Sequence, residues 1–220
     1  RQRYDYDNIQ RLYTEYVADK IDDREVINGL KEIMEGKEIL ILVPGNTLNT
    51  HKEIICKYIA EKNPIVISVN FISDKPLSYA FFGNQKRYAR LKAHRLCRNV
   101  IISSNIKSDT ESDMVINYHS VINRGYKYFE NSTIMLLNLL KRINPGKITI
   151  AGFDGFREES DKNYSDKSFQ NERHVNEFAT LNKEITAMLQ EIVETMYPSC
   201  LLELITPSLY EKAINNHPIA

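Results

Sequence analysis

The order of apolar and polar residues along the chain predicts strands that are buried on both faces. Residues 39–43 are five aliphatic side chains in a row, without the alternation of a half-exposed strand. Such runs are typical of parallel sheets, which are covered by helices on both faces. Similar short apolar runs recur farther along, so strands are predicted at residues 38–43, 65–70, 79–82, 100–103, 113–117, 147–151 and 200–206.

Segments with helical spacing of apolar residues separate these runs. They lie at residues 8–20, 24–35, 85–98, 133–142 and 176–197, with Asp22 or Asp23 and Ser132 as expected N-caps. Strands and helices that alternate in this way predict a three-layer, Rossmann-like α/β fold: one mostly parallel sheet with helices on both faces. We expect residues 1–36 to form a helical lead-in and residues 37–220 the Rossmann-like domain.

Composition excludes several classes of protein. The 220 residues contain 29 Lys plus Arg and 29 Asp plus Glu, so no general attraction to nucleic acid or to an anionic membrane is expected. No apolar run approaches the about 20 residues of a membrane span. Three separated cysteines without a C-x-x-C pair indicate neither a disulfide framework nor a zinc site, which fits a reducing cytoplasm.

Candidate binding residues follow three of the predicted strands. Pro44 and Gly45 end the first strand and lead into Asn46 and Thr47, Asn70 ends the second, and Gly152 and Asp154 follow the strand at 147–151. Open α/β sheets bind ligands beyond the carboxyl ends of their strands, so these residues are expected to converge on one cleft. A turn that opens a helix suits a phosphate or carboxylate. The alternative is an ordinary connection, because no G-x-G-x-x-G pattern is present.

The most polar stretch of the chain is predicted to be a mobile loop. Residues 157–173 carry many charged side chains and almost no aliphatic ones, so little apolar burial opposes their chain entropy. We expect this loop to act as a lid over the cleft, with Tyr164 and His174 as its ligand-contacting groups. A solvated loop without a ligand is the alternative.

The order of short motifs resembles the bacterial sialyltransferase-like fold. The motifs are Pro-Gly-Asn-Thr-Leu after the first strand, Ser-Val-Asn-Phe after the second, and Ile-Ala-Gly-Phe-Asp-Gly-Phe after the apolar helix. The resemblance implies a cytidine or uridine nucleotide as ligand, a phosphate turn, a nucleotide-side Asn, a lid tyrosine and a general base. By this resemblance Gly45, Asn46 and Thr47 form the phosphate turn, and Asn70 lies beside the nucleotide. Gly152 and Asp154 match the G-[IV]-D-[FY] segment that the family has at its ligand site. Tyr164 is the lid tyrosine and His174 the general base.

A second resemblance covers residues 21–72. The stretch through Val-Pro-Gly to Ile-Val-Ile-Ser-Val-Asn-Phe-Ile resembles the C-terminal domain of bacterial aldolase-type proteins, hydroxymethylglutaryl-CoA-lyase-like and labelled 4-hydroxy-2-oxovalerate aldolase or pyruvate carboxyltransferase. This implies an N-terminal aldolase barrel of the same polypeptide as partner, with residues 1–36 as the end of the connection. The start at Arg1 rather than Met agrees with this expectation.

Three functions remain open from the sequence. The first is a nucleotide- or phosphate-binding accessory domain that requires no cofactor and has no lyase site, because its five histidines are scattered among unrelated elements. The second is a nucleotide-sugar-dependent glycosyltransferase. The third is an interaction module that uses the basic helix at residues 85–98 or the tyrosine-rich lead-in. Assembly with further copies of the chain is also left open.

Overall fold

The computed structural model describes residues 12–13, 20–91, 99–108, 110–158, 163–166 and 175–215. His174 and residues 92–98 therefore lie outside the described residues. Most of the predicted helix at residues 8–20 and most of the loop at 157–173 also lie outside them. Seven strands form one sheet, and every pair of neighbouring strands is parallel. The strands are β1 (Glu38–Leu42), β2 (Ile65–Val69), β3 (Tyr79–Phe82), β4 (Val100–Ser103), β5 (Met114–Ile116), β6 (Lys147–Ala151) and β7 (Leu201–Leu204).

The strand order is β5-β4-β3-β2-β1-β6-β7, so β1 lies at the point where the direction of winding reverses. From β1 the chain proceeds outward through β2 to β5, and it then returns to the other side of β1 as β6. Leu40 is paired with Val66 of β2 on one side and with Thr149 of β6 on the other. The connections that leave β1 and β6 therefore diverge, which is the usual position of a ligand cleft in open α/β sheets.

Helices cover the sheet on both faces. On one face α1 (Arg24–Met34), α5 (Ser132–Ile143), α6 (Phe178–Met196) and α7 (Glu211–Asn215) share a core with Ile39 and Ile41. On the other face, the helices are α2 (Thr47–Thr50), α3 (Lys52–Lys62) and α4 (Gln85–Leu91). Leu40 and Leu42 point to this second face and pack with α2 and α3. Because successive residues of β1 after Glu38 serve two cores, residues 39–42 include no polar side chain, and the three-layer Rossmann-like prediction is confirmed.

Of the two predicted helix caps, the one at Ser132 is wrong and the one at Asp22 or Asp23 is met. The N-cap of α5 is Asn131, whose side-chain oxygen accepts hydrogen bonds from the N–H groups of Thr133 and Ile134, and Ser132 is the first helical residue. The Arg24 N–H at the start of α1 is bound by Asp22 Oδ1 at 3.1 Å. Asp23 is the N-cap residue by position, but its side chain makes no capping bond. Its carboxylate instead accepts two hydrogen bonds from the Arg142 guanidinium, both of 2.7 Å, and thereby ties α1 to α5.

Helix α1 of the predicted lead-in packs on the sheet. Ile27, Leu30 and Met34 of α1 are buried in the core of the first face. Gly36, with φ of +67°, follows the helix, in agreement with the predicted end of this segment.

Among the described residues, no helix combines the length and the apolar character that a membrane crossing requires.

Candidate functional site

A cleft of about 160 Å³ opens at the carboxyl ends of β1, β2, β3 and β6. Its position agrees with the reversal of winding at β1. Of the sequence-predicted residues, those that line it are Gly45, Asn70, Gly152, Asp154 and Tyr164. Asn46 and Thr47 are not among the lining residues, and His174 lies outside the part of the chain that the structure describes.

The turn after β1 is bound to the turn after β6. The Gly45 N–H donates to the Gly152 carbonyl at 3.0 Å and to Val43 O at 2.8 Å. The Thr47 N–H donates to Asp154 Oδ2 at 2.9 Å, and the Thr47 hydroxyl donates to Oδ1 of the same carboxylate. The N–H groups of Gly45 and Thr47, predicted for a phosphate, are thus engaged by the protein itself. Asp154, rather than a ligand, satisfies the start of α2.

Asp154 is a buried carboxylate, with only 9% of its surface exposed. Burial raises its pKa above the ordinary value for an aspartate, because the charged form is deprived of water, whereas the hydrogen bonds from Thr47 act in the opposite direction. The same side chain that lines the cleft therefore holds the turn of residues 44–47 in place.

The two turns approach so closely that neither glycine leaves room for a side chain. A Cβ added at Gly45 would lie 2.2 Å from the Gly152 carbonyl oxygen. A Cβ at Gly152 would lie 2.0 Å from Val43 O and 2.7 Å from Leu48 Cγ, and Gly152 also has φ of +78°. Glycine is therefore required at positions 45 and 152, in the turns that directly follow β1 and β6.

Asn70 supplies a hydrogen-bond donor to the cleft. It has φ of +61°, a conformation that Asn tolerates better than most residues. Its Oδ1 accepts a hydrogen bond of 3.1 Å from the Gly83 N–H, which fixes the carboxamide. The Nδ2 group has no partner among the described residues. The carboxamide oxygen of Asn70 thus has the local bonding role that is common for asparagines at strand ends, and only its Nδ2 group remains unpaired within the described residues.

The N-terminus of α5 also lines the cleft, and sequence reasoning did not assign it to the site. Ser132 and Thr133 are lining residues, and neither hydroxyl has a hydrogen-bond partner in the described chain. Thr133 is only 4% exposed, but its hydroxyl oxygen reaches the surface, since none of the fully buried side-chain N and O atoms in the described residues lacks a hydrogen-bond partner. The Ser132 N–H has no acceptor within the described residues either. The signal available in the sequence was Asn131 followed by Ser-Thr at the start of an apolar helix of 12 residues.

Strand β3 brings Gly83 against this helix start. A Cβ at Gly83 would lie 2.8 Å from Ser132 Oγ and 3.1 Å from Met135 Sδ. Because Gly83 also donates its N–H to Asn70, it connects the end of β2 with the start of α5. The unpaired groups of Asn70, Ser132 and Thr133 are consequently brought to one wall of the cleft.

The described part of the predicted lid is docked beside the turn after β1. The Ser165 N–H donates to Pro44 O at 3.0 Å, and Asn49 Nδ2 donates to Ser165 O at 2.7 Å. Asn163, buried, exchanges two hydrogen bonds with the Arg157 backbone, of 2.8 and 2.9 Å. The mobility of the loop stays a prediction, but residues 163–165 have defined contacts with the walls of the cleft.

Tyr164, between these anchors, contacts α4 across the cleft. Its ring centroid lies 5.9 Å from the Arg87 guanidinium carbon and 6.2 Å from the Phe156 ring. In the described part of the predicted basic helix, residues 85–91, Arg87 lines the cleft, whereas Lys86 and Arg90 are exposed. Burial lowers the pKa of Arg87, and the nearby Tyr164 opposes this change. The cleft therefore has a cation on the wall opposite Tyr164.

Neither a scan against protein-family models nor a search of curated proteins finds a match for this chain. Within the described ranges, no group of three or more His, Cys, Asp or Glu side chains is placed to hold a metal ion.

Proposed function

We propose that this chain is a Rossmann-like accessory domain that binds the phosphate of a nucleotide in the cleft between β1 and β6. The observation that carries the proposal is the start of α5, where the hydroxyls of Ser132 and Thr133 and the N–H of Ser132 line the cleft without partners. The start of a 12-residue helix favours a negative charge through its dipole and its unsatisfied N–H groups.

Two further polar groups of the cleft, on Asn70 and Arg87, support an anionic ligand. Asn70 Nδ2 is an additional donor beside α5, and Arg87 brings a positive charge. The turn at residues 45–47, by contrast, already binds the Asp154 carboxylate. We therefore place the phosphate against α5 rather than against that turn, which is a revision of the sequence-based hypothesis.

The size of the cleft limits how much of the ligand it holds. Its volume of about 160 Å³ is smaller than the roughly 300 Å³ at the lower end of ordinary small-molecule pockets. We expect the phosphate and the sugar of a cytidine or uridine nucleotide to occupy it and the base to extend beyond it.

The resemblance to aldolase-type proteins supplies the context of the proposal. On the basis of this resemblance, the proposed partner is an N-terminal aldolase barrel of the same polypeptide, and the lyase chemistry would belong to that barrel. That chemistry needs a divalent metal to polarise a 2-oxo acid. The present domain would then bind a ligand without cleaving 4-hydroxy-2-oxo acids. The interaction-module hypothesis, through the lead-in or residues 85–98, also stays a prediction.

A thermal-shift panel tests the proposal. Nucleotides, nucleotide-sugars and inorganic phosphate are added singly to the purified chain. A ligand at 100 times its Kd is expected to raise the free energy of unfolding by about 2.7 kcal/mol, which corresponds to roughly 5–10 °C for a chain of this length. If no phosphate-bearing compound moves the midpoint at millimolar concentration, the proposal is wrong.

The variant Asn70→Asp shows whether the shift arises in the cleft. Aspartate keeps an oxygen for the Gly83 N–H and tolerates positive φ, but it replaces the Nδ2 donor with a negative charge. We expect the ligand-induced shift to disappear. The matched control is Asn63→Asp, since Asn63 also has positive φ, of 46°, but is exposed at the end of α3, at the opposite end of β2. An equal loss in both variants would speak against a site at Asn70.

A nucleotide-sugar-dependent glycosyltransferase is the second candidate function. Asn70 and Tyr164, which the resemblance places beside the nucleotide and its phosphate, line the same cleft. In this function His174 would be the general base. We expect His174→Ala to lower sugar transfer from a CMP-sugar by 10²-fold or more and to leave nucleotide binding unchanged. Binding without any turnover in the unmodified chain would favour the accessory domain.

A further inference from the structure

Glu130 is a charged residue of the cleft to which the proposed function assigns no role. It directly precedes Asn131, the N-cap of α5, and lines the cleft beside Ser132. Its Oε1 accepts a hydrogen bond from the Tyr118 hydroxyl. Its Oε2 has no hydrogen-bond partner among the described residues. One carboxylate oxygen is thus fixed by the protein and the other is an available acceptor.

Tyr118 holds this carboxylate from a rigid position. The tyrosine is 2% exposed and belongs to the core of the first sheet face. Its N–H donates to Ser104 Oγ at 3.0 Å, next to the end of β4. A carboxylate whose one oxygen is bound by a buried tyrosine loses little rotamer freedom when the other oxygen binds a ligand, and it therefore discriminates ligands more sharply.

A negative charge two residues before Ser132 is unfavourable for a bare anion. Glu130 is exposed, but its charge lies close to the proposed phosphate position, and like charges repel each other, so it weakens the binding of inorganic phosphate. The cost is removed when the ligand presents hydroxyl groups to the carboxylate. Carboxylates accept hydrogen bonds from ribose hydroxyls in other nucleotide sites for this reason.

We propose that Glu130 is the residue that selects a ligand with sugar hydroxyls next to its phosphate, by accepting their hydrogen bonds at Oε2. This inference rests on the proposed function, because it needs the phosphate at the start of α5. It goes further by naming the class of ligand, a phosphate ester of a hydroxylated sugar, and the residue that distinguishes it from phosphate alone.

Isothermal titration with paired probes tests the inference. The probes are cytidine and uridine monophosphate, their 2′,3′-dideoxy analogues and inorganic phosphate. The unmodified chain is expected to bind one ribonucleotide about 10- to 100-fold more tightly than its dideoxy analogue, as is usual for hydroxyl groups bound by a charged acceptor. Glu130→Ala is expected to reduce this ratio to about one and to bind inorganic phosphate as well as or better than before.

Tyr118→Phe is a second variant that separates the two roles, because it removes the hydroxyl that positions Glu130 and keeps the carboxylate, so the preference should fall only in part. It should retain a ribonucleotide preference of at least several-fold. If Glu130→Ala fails to fold, Glu130→Gln replaces it, since the amide offers an oxygen to Tyr118 but has no charge, and the same loss of preference is expected.

Two results would overturn the inference and leave the proposed function intact. One is equal affinity of the unmodified chain for a ribonucleotide and its dideoxy analogue, and the other is an unchanged ratio in the folded Glu130 variant. Absence of binding for all five probes would instead refute the phosphate site at α5, and the role of Glu130 with it.

Discussion

Gly152→Ala is expected to destabilise the domain by about 3 kcal/mol or more, enough to leave a large fraction of the chain unfolded. The added Cβ would lie 2.0 Å from Val43 O and 2.7 Å from Leu48 Cγ, and the positive φ is unfavourable for alanine. The oxygen belongs to the backbone next to the central strand, so it moves only if β1 and β6 separate. Urea denaturation followed by circular dichroism measures the change.

Gly29→Ala is the control for this substitution. Gly29 lies in the exposed middle of α1, and a Cβ there would meet no atom within 4 Å. Alanine favours helices over glycine, so we expect this variant to be more stable by about 0.5–1 kcal/mol. The same chemical change should therefore have opposite signs at the two positions. A Gly152→Ala protein as stable as the parent would show that the contact between the two turns is not as close as described.

Asp23→Asn is expected to have the second largest effect on stability, about 2–3 kcal/mol. The Asp23 side chain is 6% exposed and that of Arg142 is 28% exposed. The carboxylate also accepts the Asn117 N–H at 2.9 Å. Replacing it leaves the Arg142 charge partly buried without a counter-charge. Denaturant unfolding of both proteins at pH 7 gives the difference directly.

The difference should depend on pH. The hydrogen bonds from Arg142 lower the pKa of Asp23 in the folded chain, with the Asn117 N–H acting in the same direction and burial against it. A carboxyl with a lowered pKa contributes its stability above the unfolded value, about 3.9, and loses it as the pH falls through the folded value. The unmodified chain and Asp23→Asn should thus converge in stability below pH 4.

The neighbouring aspartate provides the control. Asp22 also pairs with an arginine, Arg24, at 2.6 Å, but their side chains are 58% and 85% exposed. Exposed pairs of this kind contribute little because water and salt screen them. We expect Asp22→Asn to leave the unfolding midpoint at pH 7 unchanged. A loss equal to that of Asp23→Asn would mean that burial is not the reason for the effect.

The strands were predictable because a strand in a parallel sheet is buried on both faces, and this requires an apolar run that is visible in the local sequence. Residues 39–43 had to be apolar on both sides wherever the strand lay in the sheet, and the run alone identified it. The order of the strands was not predictable in the same way. Nothing in the local pattern of β6 shows that it pairs with β1 rather than with β5. General rules predicted where the cleft lies, at the carboxyl ends of the strands, but they did not predict which strands pair with each other.

The composition of the site was harder to predict than its position. Asp154 was assigned to the ligand because the motif placed it there, whereas its carboxylate binds Thr47, 107 residues away in the chain. Ser132 was taken for a cap because Ser is a common N-cap, but Asn131 has the hydrogen bonds. Asn131 and Ser132 can both act as an N-cap. Which of them does so depends on the backbone angles at both positions, and these cannot be derived from the two residue types. The hydroxyls that consequently line the cleft could not be seen in the sequence.

The reversal of winding at β1 has a consequence for the order of folding. Strand β1 can pair with β2 as soon as residues 38–69 are available, but its other edge waits for β6, more than 100 residues later. Closing that long loop carries a large entropic cost, which is recovered only when α5 and β6 dock together. Until then the turn at residues 44–47 lacks Asp154, and α5 lacks its place beside Gly83. A nascent chain that ends before residue 154 would therefore have a partly formed sheet but no cleft, so ligand added during synthesis would stabilise only chains that have passed that point.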